Sequence, residues 1–304
     1  MVITAAMVKE LREKTNAGMM DCKKALNETA GDMDKAVDFL REKGLSQAAK
    51  KSDRIVAEGL TTALVSGDNK KGVVVEVNSE TDFVAKNAEF IQLVSDVAQV
   101  ALDKKPADVE ALKATEIADG KTVQDELTTK IAKIGENMSI RRFAVQEVAN
   151  GAVVPYIHGG GKISVIVTLE SEGDQAVLIE LGKDLAMQVA AMKPKYISVD
   201  DVDQEFIAHE REILVAQALN EGKPQNIVEK MVEGRLQKEL KEVCLLEQAF
   251  VKDGDLTVKK VIANTAQKLG KDVKLVSVER FEVGEGIEKK SENFADEVAK
   301  QIGR

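Results

Sequence analysis

Cysteine and histidine are scarce in this chain of 304 residues, with two of each, and tryptophan is absent. Cys22 and Cys244 lie far apart with no C-x-x-C spacing, so neither a disulfide framework nor a zinc site is supported. His158 and His209 are too few for the common acid–base constellations, and no H-E-x-x-H, G-x-S-x-G or dinucleotide fingerprint occurs. His209 falls in a charged helical stretch, where an exposed surface position is expected. No run reaches the roughly 20 apolar residues that span a bilayer. The N-terminal "MVITAAMVKELREKT" is amphipathic and carries Lys9, unlike a signal peptide, and the chain reads as cytoplasmic. Basic residues are outnumbered 43 to 52, for a net charge of −9, which opposes general nucleic-acid binding because phosphate neutralisation needs a basic face.

One glycine-rich run invites a phosphate-loop reading. "HGGGK" ends at Lys162, but Ile163 follows where a Walker loop needs Ser or Thr, and the next segment has strand rather than helix character. A hairpin turn fits it better. The many Asp and Glu residues lie mostly on helix surfaces, so no carboxylate pair stands out, and enzymatic chemistry is disfavoured.

What is present describes a charge-rich globular protein, 44% hydrophobic and 31% charged. A chain this long buries roughly three quarters of its unfolded surface, and its size favours two or more domains. The first 55 residues read as three short helices. Thr4 caps the first, with Met7, Val8 and Leu11 on its apolar face; "MMDCKKALNE" forms the second. The third runs from Met33 to Lys43 with Ala36, Val37 and Leu40 on one face, and Gly44 stops it. So small a core is marginal and suits a tethered module, with "SQAAKKSDR" as a polar, partly helical linker.

From Val56 the pattern becomes strand–turn–strand, then a helix with Phe90, Ile91, Val94, Val97 and Ala98 on one face. A charged helical stretch over about 109–134 and a strand near "SIRRFAVQEV" follow. Near Gly151 the order strand–turn–strand–helix recurs, which suggests two related α+β subdomains. Between about Asp200 and Val243 the spacing predicts an antiparallel helical hairpin, striped by Phe206, Ile213 and Ala216 on one helix and Ile227, Met231, Leu236 and Leu240 on the other. A helix at "VKKVIANTAQKLG" and a strand at "VKLVSVERFEV" return the chain to α+β character, and a last amphipathic helix carries Phe294, Val298 and Ile302.

Among only eight phenylalanines, Phe83 stands out because it sits in the polar "SETDFVAKN" directly after the apolar "GVVVEV". Pattern alone gives it a structural role: Phe83, Asn87, Phe90 and Val94 fall at helical spacing, and Ser79 or Thr81 could cap that helix. A surface role stays open beside it. Met19 and Met20 raise a similar choice, since adjacent methionines at a turn suit an adaptable contact surface or the packing of at least one inside the helical module.

Several stretches together resemble the bacterial elongation factor Ts family. "KELREKTNAGMMDCKKAL" and "GDMDKAVDFLREKG" look like its N-terminal module, "EVNSETDFVAKN" like its central signature, and "RFEVGEGIEK" like its C-terminal one. "AKIGENMSIRR", "AMKPKYI" and "GKPQNIVEKMVEGR" match in the same order, so the resemblance covers essentially the whole chain. It implies an α+β protein with a UBA-like N-terminal module and linker (1–55), a core N-subdomain (56–150), and a core C-subdomain (151–192 and 240–286). A helical coiled-coil arm (193–239) is inserted in the latter, and a C-terminal helical module (287–304) ends the chain.

The resemblance also implies a guanine nucleotide exchange factor for the translational GTPase elongation factor Tu, with no cofactor, metal or chemistry of its own. Thr81, Asp82, Phe83 and Val84 would reach the partner's Mg²⁺ and phosphate site, with Phe83 as a wedge between partner helices. Val8, Arg12, Met19 and Met20 would touch the GTPase domain, His158 and Gly159 the partner's third domain, and Phe294 and Val298 the partner or this core. The arm would serve self-packing alone or dimerisation, as a homodimer or a heterotetramer with the GTPase. Two departures are an extra glycine in "VVPYIHGGGK" and added length near 104–123 and 256–270. Two other classes remain compatible with the residues: a scaffold that uses the helical module for peptide binding, and an enzyme whose site carries no familiar motif.

Overall fold

The computed structural model describes residues 3–288, apart from positions 16, 119 and 223. Phe294, Val298 and Ile302 lie outside the described residues. In chain order the elements are α1 (Ala5–Thr15), α2 (Met19–Glu28), α3 (Met33–Ala49), β1 (Glu58–Val65), β2 (Lys71–Ser79), α4 (Asp82–Ala85) and α5 (Ala88–Lys104). Next come α6 (Val109–Ala114), β3 (Glu116–Ala118), β4 (Lys121–Thr122), α7 (Val123–Ile134), β5 (Met138–Glu147), β6 (Gly151–His158), β7 (Ile163–Glu170) and α8 (Gln175–Met192). The last are α9 (Gln204–Asn220), α10 (Gln225–Val243), β8 (Ala249–Phe250), β9 (Asp253–Thr257), α11 (Val258–Leu269) and β10 (Lys274–Glu282). The class is α+β. Two compact units divide the chain, one drawn from Met1–Thr62, Val75–Phe143 and Phe281–Arg304, the other from Ala63–Val74 and Ala144–Arg280.

Two three-stranded sheets share one plan. Their orders are β1–β2–β5 and β6–β7–β10, each an N-terminal hairpin joined on its second strand by a strand from much later in the chain. The second strand is therefore central in both, which is why "GVVVEVNS" and "SVIVTL" are buried almost without interruption. The hairpins even share a glycine. Gly59 (φ +131°) and Gly151 (φ +136°) open β1 and β6, and a Cβ on either would come within 2.2 Å of Val77 O or 1.9 Å of Leu169 O. Only glycine permits that approach.

In the first unit, α1–α3 close on Leu11, Cys22, Ala25, Leu26 and Ala36, with Met7, Val8, Val37 and Leu40 packed around them. Asp32 caps α3 through Lys35 N at 3.1 Å. The expected stop at Gly44 is wrong: α3 runs on to Ala49, and Gly44 is buried inside it. The reason is contact, because Gly44 faces Thr128 and Ala132 of α7. Arg41 pairs with Asp125 at 2.9 Å and Lys121 Nζ donates to Lys14 O at 3.1 Å, so the module docks on α7 rather than hanging from a linker.

The charged stretch at 109–134 is also not one helix. It breaks after Ala114 into the small β3–β4 pair before α7 starts at a Thr122–Asp125 capping box. On α5, Phe90, Leu93, Val94, Val97 and Ala98 are buried as the periodicity requires, but Ile91 is largely exposed.

In the second unit, α8 lies on β6 and β7, and Val165, Val167, Leu169, Leu185, Val189, Leu245, Val258, Ile262 and Leu275 form its core. α9 and α10 pack on each other as a hairpin. Their seam follows the expected stripes in part: Leu236 and Leu240 are buried and Phe206 packs against the same cluster, but Leu214, Ala218, Val228 and Val232 fill the rest of the seam while Ile213 and Ile227 face out, as does Ala216. Where two apolar residues are adjacent, the facing helix decides which goes inside. His209 is exposed on α9.

Candidate partner interface

The turn after β2 is built from two caps in succession. Thr81 leaves the strand with φ −126° and ψ 158° and its Oγ1 accepts from Val84 N at 3.5 Å, which starts α4. One turn later Asn87 Oδ1 accepts from Glu89 N at 2.8 Å and starts α5. Phe83 therefore sits on its own four-residue helix and not on the α5 stripe.

Exposure separates the four residues of the turn. Phe83 is 79% exposed, whereas Val84 and Ala85 are each 5% exposed and pin α4 to the unit beneath. Val84 is thus an internal anchor and offers no side-chain surface to a partner, since its methyls are already covered. Asp82 pairs with Lys86 at 2.7 Å, and Lys86 Nζ stands 5.9 Å from the centre of the Phe83 ring. The outer face of the turn is one aromatic ring beside a locally neutralised ion pair.

Below the ring, two turns exchange side chains. Glu136 takes Thr81 N–H on one carboxylate oxygen at 3.0 Å and the Thr81 hydroxyl on the other at 2.9 Å. Glu80 in return accepts from Asn137 N at 2.5 Å and from Arg54 at 3.3 Å. The Asn137 carboxamide donates to Ser52 O and Arg54 O at 3.4 and 3.0 Å. Sequence reading missed Glu80, Glu136 and Asn137 as a group. Their only signal was that "SETDF" and "GEN" each pair an acid with a polar neighbour at an element boundary.

Farther along β2, Glu76 is fully buried and collects four donors. Arg141 and Arg142 of β5 reach it at 3.0 and 2.6 Å, Asn78 at 3.0 Å, and Gly284 N at 2.8 Å. Burial alone raises its carboxyl, but the hydrogen bonds from Gly284 N–H, Asn78, Arg142 and Arg141 outweigh that and hold it below the usual carboxylate range. Arg142 also stacks 4.3 Å from the Phe281 ring, which joins the end of β10 to the same network.

The other expected contact residues belong to other elements. Met19 and Met20 begin α2 and are 59% and 73% exposed, so neither packs inside the module. Arg12 is exposed on α1, while Val8 packs partly against the module's own core. His158 ends β6, exposed, with its Nδ1 3.0 Å from the Tyr156 hydroxyl. Gly159 opens the turn to β7 at φ +58°, and the register His158↔Ile163 makes "HGGGK" a hairpin turn between strands. Among the described residues, no group of three His, Cys, Asp or Glu could hold a metal ion, and no helix is long and apolar enough to cross a membrane.

Comparison with known proteins gives a consistent result. The sequence model of the family described as "Elongation factor TS" matches residues 80–285. The chain is 61% identical over 300 residues to elongation factor Ts of Clostridioides difficile (strain 630), covering 99% of each protein. It is 55% identical over 303 residues to elongation factor Ts of Clostridium perfringens (strain SM101 / Type A) and 53% identical over 305 residues to that of Clostridium novyi (strain NT), covering 100% of both chains in each comparison.

Proposed function

The chain belongs to the elongation factor Ts family, and on that premise we propose that it is the guanine nucleotide exchange factor for the translational GTPase elongation factor Tu, acting through the Phe83 turn. It binds the GDP form, disturbs the Mg²⁺ and phosphate site, and promotes GDP release so that GTP can bind. No covalent chemistry is involved. The observation that carries this reading is the ring of Phe83, the most exposed large apolar side chain among the described residues, on a turn whose base is buried and hydrogen-bonded.

The physics of release needs no reactive group. Guanine nucleotide is held by backbone amides and an ion bridging its phosphates. A factor that binds better to the partner conformation in which those groups diverge lowers nucleotide affinity by its own preference for that state. Phe83 inserts between partner helices, and Asp82 helps displace the structure around Mg²⁺. Thr81 and Val84 hold the turn that presents them.

One wedge is not enough. Weakening a nucleotide about ten-thousandfold takes roughly 5.5 kcal/mol of differential binding, and burying one phenylalanine gives about 1.5–3 kcal/mol. The remainder comes from separate surfaces. In this reading residues 1–55 form a UBA-like module that meets the GTPase domain through Arg12, Met19 and Met20, with Val8 behind them. Residues 56–150 and the pair 151–192 and 240–286 are the two core subdomains, and His158 with Gly159 meets the partner's third domain. Residues 193–239 form the arm, serving a homodimer or a heterotetramer with the GTPase, and 287–304 the C-terminal module that brings Phe294 and Val298 to the partner.

The test is release of fluorescent GDP from elongation factor Tu at substoichiometric factor. The wild-type chain accelerates release. Phe83→Ala keeps its thermal unfolding temperature and accelerates release at least about tenfold less, the loss expected from one buried ring. Equal rates for Phe83→Ala and wild type contradict the wedge, and no acceleration by wild type contradicts exchange altogether.

A further inference from the structure

We infer that Glu136 is the positioning residue of the Phe83 turn: its carboxylate, held across Thr81, fixes the angle at which the ring meets the partner. The inference rests on the exchange reading above. An isolated four-residue helix has no stability of its own, because nucleation fixes several residues for a single hydrogen bond. Val84 and Ala85 hold α4 down from beneath, but they leave its start, and with it the direction of Phe83, to whatever holds Thr81. Glu136 supplies that hold twice, through the Thr81 N–H and hydroxyl.

The clamp is reciprocal and reaches a third segment. Glu80 receives Asn137 N–H while Glu136 receives Thr81 N–H, so neither turn can rotate without breaking bonds in the other. Asn137 extends the network to the backbone of Ser52 and Arg54, the stretch that follows α3. Ser79 Oγ closes it by donating to Thr81 O at 2.9 Å. Glu136 keeps some solvent exposure, so its truncation opens no cavity in an apolar core, and its bonds act on where the turn points. An exposed apolar ring gains most from such fixation, since a preset ring has less conformational freedom to lose when it inserts.

The experiment measures GDP release from elongation factor Tu as a function of factor concentration, for wild type, Glu136→Ala, Glu136→Gln, Phe83→Ala and the Glu136→Ala/Phe83→Ala pair in the full chain. Removing a charge-assisted bidentate acceptor lowers the maximal release rate of Glu136→Ala roughly tenfold, while its half-saturating concentration shifts less than about twofold because the other surfaces are intact. Glu136→Gln, which keeps one acceptor oxygen, recovers part of the rate. In the Phe83→Ala background, Glu136→Ala adds less than about twofold, since the residue acts through the ring. Thr81→Val removes the hydroxyl's bond to Glu136 together with its cap on Val84 N, so it lowers the maximal rate in the same direction and keeps the test open if Glu136→Ala does not fold.

A wild-type maximal rate for Glu136→Ala or, should that variant not fold, for Thr81→Val, alongside a slow Phe83→Ala, overturns the inference and leaves the wedge standing. Full multiplicative effects in the double variant overturn it as well. A wild-type rate for Phe83→Ala removes the wedge, and the positioning role falls with it.

Discussion

Glu76 carries a carboxylate that solvent does not reach, in the middle of a strand that otherwise reads as a continuous apolar run. Its two guanidinium partners lie 65 and 66 residues away and its backbone donor 208 residues away, so nothing local announced the network. Removing the carboxylate strands two cations beside a sheet core. Glu76→Ala is expected to lose about 3 kcal/mol, at the low end for a buried pair because both guanidiniums keep a solvent-facing side. The pH dependence has a definite sign. The folded carboxyl titrates below its unfolded value of roughly 4.3, so its contribution is complete above that pH and is lost as pH falls through the folded value. Urea unfolding across the acid range should show wild-type stability dropping more steeply below about pH 4.3 than that of Glu76→Gln; parallel profiles would contradict the assignment.

Helices carried the clearest sequence signal, and their errors are informative. Gly44 was expected to end a helix, the most frequent use of a glycine after an apolar stripe. It is instead a contact point inside α3, chosen by α7, which no local pattern reveals. Gly182 inside α8 plays the same part against β6, yet the two differ in the room around them. A Cβ at Gly44 would stand 3.6 Å from Thr128, an ordinary contact, whereas at Gly182 it would lie 2.5 Å from one methyl of Val154 and 2.7 Å from its Cβ. Opposite outcomes follow. Gly44→Ala should stabilise by about 0.5–1 kcal/mol through helix propensity, and Gly182→Ala should destabilise by about 1–3 kcal/mol through overpacking. Urea midpoints at unchanged m-values measure both, and the same sign for the two would refute the packing account.

For the molecule as a whole, the proposed exchange depends on coupling between the Phe83 turn and surfaces far from it in sequence. Phe83 and Met20 belong to the first unit and His158 to the second. Linkage makes the coupling testable without any variant: whatever factor the chain applies to GDP affinity, GDP must apply to the chain's affinity for the GTPase. Calorimetric titration of elongation factor Tu with the full chain, at rising GDP, should show affinity falling with GDP and then levelling at that shared factor. Affinity that ignores GDP at every concentration would rule out exchange by this route.

Periodicity and short motifs were enough for the α+β class, the three leading helices, the two strand–turn–strand–helix passages and the family, because each is written in residues close together along the chain. Whether a given side chain ends up covered depends on neighbours brought in from other elements, often tens of positions away, and there local pattern failed. The fold decided that Val84 is an anchor while Phe83 is bare, that Gly44 meets α7, which face of α9 closes on α10, and that Glu136 reaches Thr81. Packing and long-range hydrogen bonds are properties of the assembled chain, and the presentation of the Phe83 ring is set by them.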